Sequence, residues 1–295
     1  MSERGAALAA PQSRFCLMIV SKITQLAASS LSALAWLGRY VWAGWAGAAG
    51  LFCFAALWQF GHELYGSFIL PSPFETVDAL LGLFSVPGFY EIAGNSIQRA
   101  LIGFLLSAGI GTLLGTIAGY FFAAMRLLRP MVTLLMGVPP IAWIVLAIIW
   151  FGSSGGSAIL TVVIASFPIA FAGGLEGVAT RDRALEQMAR SYGASPFTRF
   201  RTVTLPHLFS YLYPAWITTA GNSWKVVVMA EVLSNTGGIG GALANSRALF
   251  DIPQVMAWIL LVVIFALFTE YVLLQPVREG LERWRAAGVP WGVKR

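Results

Sequence analysis

The chain has little charge and few of the residues that soluble enzymes use for catalysis. Only 11% of its 295 residues are charged and 58% are hydrophobic, whereas soluble domains carry about 25% charged residues. It has no G-x-x-x-x-G-K-[ST] run for binding ATP. Its two histidines and two cysteines are isolated from one another, so they form no metal or redox motif. The composition excludes an ordinary soluble enzyme, and we expect no cofactor, no metal and no catalytic residue.

Long uncharged apolar runs fill most of the sequence, and they predict a helical membrane protein. About 20 apolar residues cross a bilayer as a helix, and only a helix satisfies its own backbone hydrogen bonds over such lengths in lipid. The expected fold class is all-α, with about six transmembrane helices in one membrane domain, residues 41–285. The predicted spans are 41–61, 99–125, 130–151, 157–176, 210–234 and 253–275. Shorter helices are expected at 74–84 and 242–250.

The basic residues indicate how these spans are oriented. If both termini lie in the cytoplasm, 16 of the 19 lysines and arginines are cytoplasmic. The three others are Arg99, Lys225 and Arg247. This distribution agrees with the positive-inside rule. We therefore interpret the positive charge as a sign of topology and expect no nucleic-acid partner. Residues 1–40 are expected to form a cytoplasmic or interfacial extension, and residues 286–295 a cytoplasmic tail.

Small residues recur at four-residue spacing in the second predicted span. Ser107, Gly111, Gly115 and Gly119 would lie on one helix face, where they would let another helix approach closely. The stripe predicts either a tight interface in a pore-forming bundle or ordinary packing within the chain.

Two prolines and a tryptophan mark the start of the third span. Pro139 and Pro140 remove backbone donors and are expected to break or kink the helix. Broken helices at membrane depth often line a cavity, although a packing kink would use the same residues. Trp143 is either a residue of the translocation path or an anchor at the membrane interface.

The fifth span carries the polar residues Asn222, Lys225 and Glu231. Charged residues within a span usually face the interior of a bundle or a water path, so these three are candidates for the translocation path. Lys225 could attract an anionic substrate or neutralise a carboxylate on another helix, such as Glu176 or Glu270.

The polar segment 177–209 lies between the fourth and fifth spans and is predicted to be a cytoplasmic loop. Ser195 and Pro196 are typical of a helix start, and Leu205 with Pro206 is expected to end that helix. The loop would then contain two short helices joined at Gly193. Its apolar side chains, Phe197, Phe200 and Val203, would either dock into a groove on another protein or pack on the inner ends of the spans.

This segment resembles the cytoplasmic "EAA" loop in permease subunits of bacterial ATP-binding-cassette importers. That pattern is E-A-A, three residues, Gly, nine residues, Ile, one residue, Leu-Pro. The matching residues here are Gln187-Met188-Ala189, Gly193, Val203 and Leu205-Pro206. Gln187 departs from the usual acid, although Glu186 precedes it. The segments 70–73, 138–143, 149–152 and 229–233 resemble the branch that serves nitrate, sulfonate, taurine and bicarbonate.

The resemblance implies a type I importer permease in a bacterial inner membrane. It would act as a homodimer in the lipid bilayer, with cytosolic ATPases that hydrolyse ATP and an extracytoplasmic solute-binding protein. The chain itself would not be an enzyme. A small anion is the expected substrate; the alternatives are a thiamine-precursor-like heterocycle, or a secondary transporter driven by an ion gradient. The residues that would shape the ATPase-coupling loop are Glu186, Gln187, Ala189, Gly193, Ala194, Ser195, Pro196, Phe197, Phe200, Leu205 and Pro206.

Overall fold

The computed structural model describes residues 45, 47 and 49–274, and the regular structure in this part of the chain is entirely helical. This confirms the expected all-α class. The predicted extension 1–40 and tail 286–295 lie outside the described residues. The helices are α1 (49–65), α2 (Pro73–Leu83), α3 (Phe89–Tyr120), α4 (Phe122–Gly137), α5 (Pro140–Phe151), α6 (Gly155–Ala179), α7 (Arg183–Ser191), α8 (Pro196–Arg199), α9 (Leu205–Ser234), α10 (Ile239–Ala248) and α11 (Ile252–Phe268).

The chain divides into two compact units, Met1–Gly66 and Ser67–Arg295. In the first unit, α1 ends where Gly66 adopts a φ of +77° and donates a hydrogen bond to the carbonyl of His62 at 2.7 Å. The predicted first span, 41–61, overlaps α1, but most of its first eight residues lie outside the described part.

The centre of the second unit is a bundle of α3, α6 and α9. Glycines of α3 let its backbone contact α6, since a methyl group on Gly111 would lie 2.8 Å from the Phe167 carbonyl oxygen. A methyl group on Gly119 would lie 2.5 Å from the Val178 Cβ. The predicted small-residue stripe therefore packs within the chain, which is one of the two uses expected for it.

The three helices define two ends of this bundle. At one end α3 finishes beside α6, and a methyl group on Gly177 would meet the Leu208 side chain near the start of α9 at 2.7 Å. We call this the basic end, because the arginines of segment 177–209 follow it directly. At the other end, the far end, Arg99 of α3 contacts Glu231 of α9.

The predicted spans are largely confirmed as helices, with shifted bounds. Among the described residues, α3, α6 and the helix Ile252–Tyr271 are each long and apolar enough to cross a membrane, and counting each of two bent helix pairs as one span raises this number to five. The second span was wrongly bounded at 99–125. It starts at Phe89 and ends at Tyr120, because Phe121 is extended, with φ −114° and ψ 113°.

The third span, expected as one helix over 130–151, is instead two helices. α4 and α5 meet at 97°. Val138 has an extended backbone with φ −89° and ψ 125°, as expected for a residue before proline. The predicted break at Pro139 and Pro140 is therefore confirmed, whereas the continuous span is wrong.

Candidate functional site

Segment 177–209 contains a capped helix, α7. The Asp182 carboxylate accepts hydrogen bonds from the N–H groups of Ala184 and Leu185, at 2.8 and 3.2 Å. Because these N–H groups have no partner within the helix, the cap stabilises α7 by about 1 kcal/mol.

Gly193 ends α7 in the left-handed conformation, with φ +75°. Its N–H donates to the Arg190 carbonyl, and the Ala194 N–H donates to the Ala189 carbonyl, both at 3.0 Å. This pair of bonds is the usual closure of a helix by a left-handed glycine. These bonds and the positive φ of Gly193 define a sharp turn between α7 and α8.

α8 begins as the sequence predicts. The Ser195 hydroxyl accepts a hydrogen bond from the Thr198 N–H at 3.2 Å, and Pro196 occupies the first turn. The predicted helix end at Leu205-Pro206 is wrong. A π-helical turn, Phe200–Thr204, lets the Leu205 N–H reach the Phe200 carbonyl, and Pro206, which has no N–H, follows without interrupting the helix.

Segment 177–209 also exposes several large apolar side chains. No residue of α7 or α8 is buried in the chain, and Ala189 and Ala194 are half-buried. Five large apolar side chains project from α7, the turn, α8 and the π-helical turn, with exposed fractions of 52, 56, 81, 70 and 45%: Leu185, Met188, Tyr192, Phe197 and Phe200. Contiguous exposed apolar side chains are typical of a surface that another molecule covers.

Beside this apolar surface lies a basic groove. Glu186 is the acid among its lining residues, and its Oε2 atom lies 3.9 Å from the Arg181 Nε. Gln187, at the position where the resembling loops carry an acid, is exposed and also lines the groove. The other lining residues are Arg183, Arg190 and Arg199. The net positive charge of the groove favours acidic groups on a partner.

At the far end of the bundle, a polar cluster surrounds Glu231. This side chain is fully buried; its Oε1 atom accepts a hydrogen bond from Arg99 Nη1 at 2.8 Å. Its Oε2 atom accepts from the Ser96 hydroxyl at 2.6 Å and from the Gly240 N–H at 3.0 Å. Arg99 also donates to the Thr236 carbonyl at 2.8 Å. The cluster thus joins α3, α9 and the start of α10.

Sequence reasoning missed Arg99 as a partner of Glu231. A signal was available, because Arg99 and Glu231 are opposite charges in or beside two predicted spans. Their separation of 132 residues gave no indication that the two helices are neighbours.

The remaining candidates for the translocation path lie on α5, α9 and the break before α5. Pro139 is exposed and Pro140 half-buried. The Trp143 Nε1 atom is buried and has no hydrogen-bond acceptor among the described residues. The Asn222 amide donates to the Ser166 hydroxyl at 3.1 Å.

Lys225 is exposed, and in the described part of the chain it pairs with neither Glu176 nor Glu270. Of the three polar residues predicted on the fifth span, Asn222 and Glu231 therefore form hydrogen bonds between helices. Lys225 forms no ion pair with a described residue. None of the predicted coupling-loop residues is buried in the chain, whereas the predicted path residues are spread over several contacts.

The chain is similar in sequence to known membrane transport proteins. Residues 111–279 match the family described as "Binding-protein-dependent transport system inner membrane component". A probable ABC transporter permease protein of Brucella abortus is 27% identical, over 75% of this chain and 88% of its own length. SsuC of Escherichia coli, named for the transport of aliphatic sulfonates, is 31% identical over 70% and 79%. Permeases named for nitrate import and taurine transport are also similar. A solved inward-facing MetNI methionine ABC transporter has a TM-score of 0.48, with 17% identity, over 61% of this chain and 94% of that chain.

The fold and the match define a class of membrane transport protein. The chain belongs to the family of binding-protein-dependent transport system inner membrane components, in the branch that includes sulfonate, nitrate and taurine permeases. It is therefore a permease subunit of an ATP-binding-cassette importer. Permeases of this kind work with ATPase and binding-protein partners, and its relatives are transport proteins, not enzymes.

Proposed function

We propose that the chain forms the translocation path for a small anion and is coupled to cytosolic ATPases through segment 177–209. ATP is hydrolysed on those partners, and two copies of the chain form the pore. Both termini lie in the cytoplasm of a bacterial cell. An extracytoplasmic binding protein delivers the substrate at the far end of the bundle.

The exposed surface of α7 and α8 is the observation that carries the coupling proposal. Tyr192 and Phe197 are 81 and 70% exposed, although caps and a glycine turn fix the backbone beneath them. A rigid segment that leaves aromatic side chains uncovered is suited to a partner's groove, because little conformational entropy is lost when the two join.

The helix that follows supports transmission of a movement across the membrane. α8, the π-helical turn and α9 are continuous from Pro196 to Ser234. α9 alone is about 45 Å long at 1.5 Å per residue, and its last turn contains Glu231. α9 contains an interior proline, Pro214, so we infer that a displacement of α8 by an ATPase reaches the Arg99–Glu231 cluster through this continuous helix, which is not a uniformly stiff one.

The substrate class rests on two observations. Relatives named for particular substrates include permeases for sulfonates, nitrate and taurine, which are small and carry an anionic group. Lys225 supplies an exposed positive charge on α9. A cation without a partner inside a membrane helix is costly, so a passing anion would be stabilised there.

Reconstitution in vesicles tests this function. The chain is combined with the ATPase and the binding protein encoded beside it, and the ligand held by that binding protein is offered outside. We expect uptake that requires ATP and the binding protein, persists with an uncoupler, and favours an anion. Uptake that collapses with the uncoupler would contradict the proposal, and a neutral or cationic heterocycle as the ligand would overturn the substrate class alone.

A further inference from the structure

The guanidinium group of Arg99 is held by one corner. Its hydrogen bonds to described residues all use Nη1, which donates to Glu231 and to the carbonyls of Thr236 and Gly237. Glu231 is itself fixed, because its second oxygen accepts two further hydrogen bonds. Contacts from α9 and from the turn before α10 therefore set the position of a guanidinium group that belongs to α3.

The opposite edge of this guanidinium group, which consists of Nε and Nη2, is free. Neither atom has a hydrogen-bond partner among the described residues, and neither is closed off from solvent. The side chain as a whole is only 15% exposed. Arg99 therefore presents a pair of unused donors from a largely buried and fixed position at the far end of the bundle.

The start of α6 borders this edge. A methyl group on Gly155 would lie 2.9 Å from Arg99 Nε and 3.4 Å from Nη2, so any side chain at this position would occupy the space beside the edge. Gly155 is the first residue of α6, and its N–H has no acceptor among the described residues. The first turn of a helix carries a partial positive charge, which adds to the charge of the arginine.

We propose that the Nε–Nη2 edge of Arg99 binds the transported anion at the far end of the bundle, and that Gly155 leaves the space for it. This inference rests on the proposed function, because it takes its ligand from the small anions of that substrate class. Two parallel N–H donors of a guanidinium group match two oxygens of one anionic group. Nitrate and sulfonate groups both present such a pair of oxygens.

The ion pair with Glu231 makes the site suitable for an anion in passage. Glu231 offsets the charge of Arg99, so the free edge attracts an anion less strongly than a lone arginine would. A site on a translocation path must bind strongly enough to admit the ligand and weakly enough to release it. Lys225 is the next cation along α9, six residues from Glu231, which is about 9 Å along the helix.

Equilibrium binding of radiolabelled methanesulfonate to the full-length chain in phosphatidylcholine nanodiscs tests this site. Gly155→Ala should bind it at least about tenfold more weakly than wild type, because the added methyl group blocks charge-assisted hydrogen bonds to Arg99. Gly156→Ala is the matched control and should bind like wild type, since its methyl group would meet only the Ser154 hydroxyl, at 3.5 Å. Equal affinities of wild type and Gly155→Ala would overturn the proposal, as would an equal loss in Gly156→Ala.

Arg99→Lys is a second variant that leaves α6 unchanged. Lysine retains a positive charge for Glu231, but its ammonium group has no second edge, so methanesulfonate binding should again fall at least about tenfold. Undiminished binding by Arg99→Lys, or no binding by wild type, would overturn the proposal.

The binding assay contains neither ATPase nor binding protein, so it separates this site from the proposed function. If ATP-driven anion uptake is found while Gly155→Ala binds methanesulfonate as wild type does, the site is wrong and the proposed function stands. If Gly155→Ala and Arg99→Lys lose binding while wild type imports no anion with ATP, the anion site stands and the proposed function is wrong.

Discussion

Arg99 and Glu231 form a buried ion pair, with Nη1 and Oε1 2.8 Å apart, between two helices whose residues are 132 positions apart in the sequence. The Glu231 side chain is fully buried and that of Arg99 is 15% exposed. Each charge in such a pair depends on the other, because either one alone would remain in a medium that solvates it poorly. The pair fixes which face of α9 meets α3 at the far end of the bundle.

Removal of one partner should therefore destabilise the protein strongly. We expect Arg99→Ala and Glu231→Ala each to lower the free energy of unfolding by about 3–5 kcal/mol, and the double variant to lower it by less than the sum. Unfolding in detergent micelles measures these effects, with the exposed Arg247→Ala as a control that should change it by less than about 0.5 kcal/mol. Strictly additive single effects would show that the pair is not coupled.

The packing of α3 on α6 makes a second prediction about stability. A methyl group on Gly115 would overlap the Phe171 carbonyl group, whereas one on Gly109 would meet nothing within 4 Å. Gly115→Ala should destabilise the protein by about 1–3 kcal/mol, and Gly109→Ala should be neutral or stabilise it by up to about 1 kcal/mol. The two unfolding free energies are compared in one detergent, and equal changes would contradict the close approach at Gly115.

Much of the fold could be predicted from the sequence, because bilayer thickness and apolar run length together limit where helices lie. The gap between the predicted spans 130–151 and 157–176, the break at Pro139 and the caps of α8 all follow from local rules. The 97° angle between α4 and α5 could not be predicted, since it depends on contacts of Val132 and Ile144 with distant helices. The same holds for the Arg99–Glu231 pair.

The turn at Gly193 provides a test of the coupling segment. Gly193 and Gly88 have nearly the same φ, +75° and +78°, and a methyl group on either would meet nothing within 4 Å. Gly193→Asp should abolish ATP-driven uptake while the protein stays in the membrane, because a charged side chain would enter the surface on which we propose that the ATPase docks. Gly88→Asp carries the same backbone strain outside that surface and should transport. Normal uptake by Gly193→Asp would contradict the coupling role.

Lys225 makes a separate prediction about substrate. Lys225→Ala should lower the rate of anion uptake more than it lowers the affinity of the binding protein complex for the permease, because the lost charge lies on α9 along the proposed translocation path. Lys225→Arg retains the charge and should transport more than the alanine variant. If all three proteins import at equal rates, Lys225 has no role in transport.

The candidate site was less predictable than the fold, for a physical reason. Ser195, Pro196 and Gly193 affect only the local backbone conformation, so their roles can be predicted from the sequence. The π-helical turn at 200–204 carries the chain past Pro206 as one helix, and no local signal indicates it. Gln187 is exposed in a groove of arginines, and what it contacts depends on a partner.

Binding of the ATPase to the permease in lipid nanodiscs tests the central claim most directly. Phe197 is 70% exposed on α8, and Phe68, which serves as the control, is 72% exposed outside segment 177–209. Truncating a central aromatic residue of an interface commonly costs at least about 2 kcal/mol, so Phe197→Ala should weaken ATPase binding by about 30-fold and Phe68→Ala should leave it unchanged. ATPase that binds wild type, Phe197→Ala and Phe68→Ala with equal affinity would contradict docking through this segment.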